Sequence, residues 1–200
     1  MNQKIGVGAS AVNLMAVIGF ALAMLISSNF ISYLSSVFIA FGYVGMICSF
    51  VYFSGEETKV AGYCAMTFGV MYALCNSIVY FVQLSTVRNS FLTDQAVALL
   101  DYSRFGMMFH VDMLGYCFMS ISTIFIGFTI KVKSRADRWL KWLLIVHGVF
   151  AIGCFIIPIL GLFGSATQGS DLIGVLILEF WCLYFTPIGI LSMLHFARKE

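Results

Sequence analysis

Six apolar runs of about twenty residues or more occupy most of this 200-residue sequence, and they leave it one class of fold. They fall near residues 7–27, 30–53, 60–87, 105–131, 139–163 and 172–196. An α-helix rises about 1.5 Å per residue, so roughly 20 apolar residues span the hydrocarbon core of a bilayer. The runs are continuous instead of alternating in short segments, which excludes a transmembrane β-barrel. The expected fold is therefore all-α: one polytopic six-helix transmembrane bundle that takes in residues 1–200 as a single domain. Composition agrees, with 61% hydrophobic and 10% charged residues, against about 25% charged in soluble domains. A net charge of +2 carries no footprint for nucleic acid. The first run has a cleavage-like Ala21-Leu22-Ala23, but it continues to Ile26 and is read as a span rather than a signal peptide.

Charge sets the expected orientation. Six spans put both termini on one side, with Lys4, Lys59, Lys131, Lys133, Arg135, Arg138, Lys141, Arg198 and Lys199. Arg88 and Arg104 lie on the other. The positive-inside rule places the first set, and with it both termini, in the cytoplasm. Trp139 and Trp142 beside the basic cluster read as interface anchors. The six cysteines all fall within spans and form no CxxC pair, so they read as small apolar residues.

Connections are short except residues 88–104. There Leu92, Ala96, Leu99 and Leu100 recur at helical spacing, with Thr93 as a cap and Asp94 in the first turn. This predicts a short amphipathic helix at the outer membrane surface between spans three and four. The third span repeats Ala61, Ala65, Gly69, Ala73 and Ser77 at every fourth position. Small residues at that spacing let helix backbones approach closely, which predicts a central place for this span. Beside the seam runs a polar stripe of Tyr72, Asn76, Tyr80 and Gln83 that does not suit lipid.

The costly residues come next. A carboxylate at the bilayer centre costs about 2.5–3.5 kcal/mol on insertion scales, so it faces the bundle interior. Asp112 and Glu179 are the two acids inside spans, each about seven residues from the outer boundary of its helix, or roughly 10 Å deep. Asn76, Tyr80 and Gln83 reach the same outer half. His110 and Asp112 are separated by about 200° around their helix, so they point apart. Asp112 shares its face with Tyr116. Asp112 and Glu179 leave two readings open, a functional pocket or protonated carboxyls hydrogen-bonded to Tyr or Asn across helices; the candidate binding residues are Asp112, Glu179, Asn76, Tyr80, Gln83, Tyr116 and His110. The three histidines lie at different depths, so no metal site is expected. His147 reads as a hydrogen-bonded packing residue.

There is no HExxH, GxSxG or glycine-rich phosphate loop. No catalytic residue and no cofactor is expected, and an enzyme acting on lipid is the least favoured of three readings. The first is a binder or transporter of a small solute, cation or lipid, with an outward-facing site among spans three, four and six. The second is a non-catalytic subunit or assembly factor that packs a membrane-protein partner or a second copy of itself.

GYCFMSISTIFIGFTI followed by RWLKWLLIVHGV resembles the later spans of small six-span bacterial integral membrane proteins of unassigned function. That resemblance implies the bacterial inner membrane and supplies no catalytic residue. In size and span count the chain is also similar to vitamin-binding subunits of energy-coupling transporters. Those carry a substantial outer loop after the first span, where this chain has only Ser27-Ser28-Asn29.

Overall fold

The structure is a computed structural model that describes residues 1–89, 91–161 and 170–198. Residues 164–169 of the predicted last connection, Ser90 of the 88–104 segment, and Lys199 lie outside the described residues. Among those described, six helices are long and apolar enough to cross a membrane. They are α1 (Asn2–Leu25), α2 (Asn29–Tyr52), α3 (Lys59–Val82), α5 (Met107–Thr129), the joined pair α6 (Arg135–His147) and α7 (Val149–Ile159), and α8 (Ser170–Ala197). Between α3 and α5 lies α4 (Asp94–Leu100), on which Thr93 Oγ1 caps Ala96 N–H at 3.4 Å.

The spans form a ring. α1 packs on α2, α2 on α3, α3 on α5, α5 on α6 and α7, α6 on α8, and α8 back on α1. Short connections make sequence neighbours antiparallel neighbours, and the closing contact brings the two ends of the chain to one end of the bundle. Gln3 Nε2 donates to Ala197 O at 3.0 Å, and Gly6 lies under the Phe196 ring. Aromatic side chains from four helices fill the middle. Tyr43 of α2 meets Tyr72 of α3 and Phe185 of α8, with ring centroids 5.2 and 6.4 Å apart, and donates to Met119 O of α5 at 3.2 Å. Serines reach this interior because their hydroxyls bond back along their own helices, as Ser10 does to Gly6 O and Ser120 to Tyr116 O, both at 2.8 Å.

The small-residue seam of α3 does not make that helix the hub. Ala65 and Gly69 do sit in close contacts, where Ser122 of α5 donates to Ala65 O at 2.6 Å. Yet α5 is the most enclosed span, with 56% of its apolar window buried against 33% for α3. The reason is geometric: α5 has α3 on one side and both α6 and α7 on the other. It also carries its own small inward face of Gly115, Ser120, Ser122, Thr123 and Gly127.

The fifth span begins four residues earlier than the hydropathy boundary at 139. Ser134 and Asp137 form a reciprocal cap: the Asp137 N–H donates to Ser134 Oγ at 3.1 Å, and Ser134 Oγ donates to Asp137 Oδ2 at 2.8 Å. Arg135, Arg138 and Lys141 therefore ride on helix turns and not on a loop. The span breaks at Gly148, which lies so close to the Ile124 side chain that a Cβ would not fit. At the same end of the bundle, His195 Nδ1 meets Asp137 Oδ1 at 2.8 Å and Arg198 donates to Ser134 Oγ at 2.9 Å, which ties α8 to the start of α6.

Candidate functional site

The α3 stripe turns inward at the α4 end of the ring. Tyr72, Asn76, Tyr80 and Gln83 are all buried, and they face the Asp112 and Tyr116 side of α5. Gly115 sets this register: a Cβ there would lie 3.1 Å from Cys75 Cβ and 3.8 Å from Asn76 N. A larger residue would push the two helices apart.

Asp112 is 1% exposed. Its Oδ2 accepts two phenols, Tyr80 Oη at 3.0 Å and Tyr102 Oη at 3.2 Å. Its Oδ1 has no protein partner. Tyr102 reaches the carboxylate from outside the spans, and local chemistry explains how. Asp101 Oδ1 accepts Ser103 N–H at 2.9 Å and Ser103 Oγ at 2.7 Å, closing a side-chain turn around Tyr102. Phe105 then adopts φ 52, and Gly106 lets the chain pass directly beneath Ala98 O of α4, where any Cβ would collide. Gln83 locks the segment from below, accepting Tyr102 N–H at 3.0 Å and donating to Leu100 O at 2.8 Å. Desolvation, then the neighbouring Asp112, holds the Tyr102 phenol well above its usual range, so it meets the carboxylate as a donor.

Tyr33 of α2 completes an aromatic cover, with its ring 5.5 Å from Tyr80 and 6.1 Å from Tyr102. Tyr33 also lines an open cavity of about 320 Å³, together with Asn29, Gln83, Arg88, Asp101 and Ser103 among others. Arg88 lies over the Phe30 ring, 4.4 Å from its centroid. Residues Gln83–Val87 at its wall form a π-helical turn, an irregularity that often accompanies functional sites.

The candidate residues thus separate into groups. Asp112 and Tyr80 share a hydrogen bond, Asn76 and Tyr116 flank them across the α3–α5 contact, and Gln83 joins through Tyr102. His110 is not among them. It is exposed on the opposite side of α5, beside a shallow cleft of about 160 Å³ with Leu114, Cys154, Phe155, Pro158 and Ile159. Glu179 is half-buried on α8 with Oε1 unpartnered, and it does not hydrogen-bond to Asp112. Matched depth placed the two acids at one level, but α8 packs mainly on α1 and α6, so its inward approach to α5 is made by Trp181 against Tyr116 at 5.5 Å. Tyr33 and Tyr102 were not visible as site residues in the sequence. A tyrosine at a helix boundary reads as an interface anchor unless its partner is known.

A second buried polar group lies deeper. Trp181 Nε1 donates to His147 Nε2 at 3.0 Å, and Thr123 Oγ1 lies 2.9 Å from His147 Nδ1. An indole N–H only donates, so Nε2 carries the lone pair. Thr123 spends its own proton on Ser120 O at 2.8 Å, so the hydrogen-bond network assigns the Nδ1–H tautomer of a neutral ring. His147 is a fully satisfied packing residue.

The sequence matches no known protein family, no curated protein and no solved structure.

Proposed function

We infer that this protein is a multi-pass protein of the bacterial cytoplasmic membrane, with both termini in the cytoplasm, that binds and transports a small polar solute from the outer face. The observation that carries the reading is the placement of Asp112. It is a buried carboxylate with one bare oxygen, bonded to Tyr80 and Tyr102, whose rings pack on Tyr33 at the wall of an open cavity. A carboxylate inside a membrane domain is costly unless it serves a site. The cavity carries one cation, Arg88, and one anion, Asp101, on an aromatic and amide lining. That chemistry suits a solute with both a negative and a positive group. The site lies among the second, third and fourth spans with the 101–104 turn, and the sixth contributes only Trp181 at its edge.

Thermal melting of the purified protein against a panel of amino acids, betaines, nucleosides and sugars tests the reading. Members of the zwitterionic class raise the melting temperature of the wild type and leave Arg88→Ala and Asp101→Ala unmoved. A panel in which no solute shifts the wild type would sink the reading. Impermeant maleimide on intact cells tests the orientation: Ser103→Cys is labelled and Ser134→Cys is not, in a background without the six native cysteines.

A further inference from the structure

Five of the seven buried side-chain polar atoms that lack a protein partner, among the described residues, belong to four neighbouring side chains. They are Tyr72 Oη, Asn76 Oδ1 and Nδ2, Asp112 Oδ1 and Tyr116 Oη. Each side chain is more than nine-tenths buried, between 0% and 8% exposed. Buried polar atoms are normally hydrogen-bonded, and each one left bare destabilises the fold. A cluster of five within one α3–α5 contact therefore carries a cost that packing alone does not explain. The residues share one locality. The Tyr72 and Tyr116 rings lie 5.7 Å apart, Asn76 faces Gly115, and Asp112 is one turn along α5 from Tyr116.

Charge narrows what the cluster can take. Two phenols donate to Oδ2 of Asp112, and no lysine or arginine is among the buried residues described. Of the two buried imidazoles, His147 has its lone pair committed to Trp181 and His195 pairs with Asp137 at the α6–α8 contact. Four of the five bare atoms are oxygens, and only one carboxylate is present. One negative charge with neutral oxygen donors balances one positive charge. A divalent ion would leave the site with a buried net charge and one carboxylate where such ions are ordinarily held by several hard oxygen ligands.

We propose that Tyr72, Asn76, Asp112 and Tyr116 form a binding site for a single monovalent alkali cation, held between α3 and α5 beneath the aromatic cover. The cation neutralises the Asp112 carboxylate and takes Asp112 Oδ1, Asn76 Oδ1 and the two phenol oxygens as ligands. It enters by the cavity that Tyr33 lines, when the Tyr33, Tyr80 and Tyr102 cover opens. The site rests on the transport reading only for that route of entry.

The experiment is thermal melting of the full chain in detergent, titrated with NaCl or KCl against choline chloride at constant ionic strength. The wild type melts higher in an alkali salt than in choline, along a saturable curve. Asp112→Asn abolishes the difference. Tyr72→Phe and Tyr116→Phe keep their rings and remove unpartnered hydroxyls, so in choline they melt at or above the wild type. Each moves the cation midpoint up by about tenfold, the equivalent of about 1.4 kcal/mol. Equal melting in alkali salts and choline overturns the proposal, and that is the result if the carboxyl simply holds its own proton. A salt shift that survives in Asp112→Asn overturns it too, as do Phe variants that melt lower in choline with an unchanged midpoint. The two readings fail separately: an alkali effect without any organic ligand leaves the ion site standing alone, and an organic ligand without an alkali effect leaves only the cavity.

Discussion

Gln83 holds Tyr102 over the buried carboxylate with both halves of one side-chain amide. Its Oε1 takes the Tyr102 N–H at 3.0 Å, and its Nε2 bonds Leu100 O, two residues earlier, at 2.8 Å. A residue on the third span thus fixes a connecting segment whose own phenol reaches the fourth span. Gln83→Leu removes both bonds in a largely buried place and costs about 2 kcal/mol, near 1 kcal/mol per bond. Hydrogen exchange checks it: amides 100–104 exchange faster in Gln83→Leu, while exchange in the middle of α5 is unchanged. Equal protection of 100–104 in the variant would show that the segment is held by something else.

The His147 tautomer is a direct consequence of its partners. Nitrogen-15 NMR of selectively labelled protein shows a protonated Nδ1 and a bare Nε2 for this ring. The opposite pattern would contradict the assigned network. Trp181→Phe leaves Nε2 buried without a donor and destabilises by about 1–3 kcal/mol, read as a lowered melting temperature.

Glycines in this bundle divide by what stands opposite them. A Cβ on Gly42 would lie 2.6 Å from the backbone N of Asn13 on α1, where nothing flexible can yield. Gly42→Ala therefore forces α1 and α2 apart and costs about 2–3 kcal/mol. Gly8 meets nothing within 4 Å. Gly8→Ala removes only backbone freedom from a helix and stabilises by about 0.5–1 kcal/mol. Melting both variants under one condition gives shifts of opposite sign.

The start of α6 is held by one residue acting twice. Asp137 caps with Ser134 and also meets His195 of α8 at 2.8 Å. Asp137→Ala loses both functions and costs about 2 kcal/mol, whereas Ser134→Ala loses mainly the cap, about 1 kcal/mol. A double mutant that costs less than the sum of the singles shows the coupling. Strict additivity would show that the two contacts are independent.

Several features were decided by local sequence. The six apolar helices follow from run length and the bilayer's thickness. Thr93 caps α4 because a threonine before Asp94 can do nothing better for the free N–H groups. His110 is exposed and Asp112 buried because two helical residues stand about 200° apart. The inward stripe of α3 was readable for the same reason: helical period is a property of the chain itself.

Azimuth around the bundle was not. Counting residues measures depth, and by depth Asp112 and Glu179 were equals. Which side chains meet at that depth depends on which helices are neighbours, and that was settled when α8 closed the ring on α1 and α6. Packing of α3 on α5 and of α2 on α3 gave Asp112 its partner from α3 and brought Tyr33 across from α2, Gln83 held Tyr102 over it, and Glu179 stayed half-buried on α8. The sequence by itself determined how far along its helix each polar residue stands and which face of that helix it occupies. Only tertiary packing decided which faces confront one another, because a helix sets angles about its own axis and the ring sets where those axes stand.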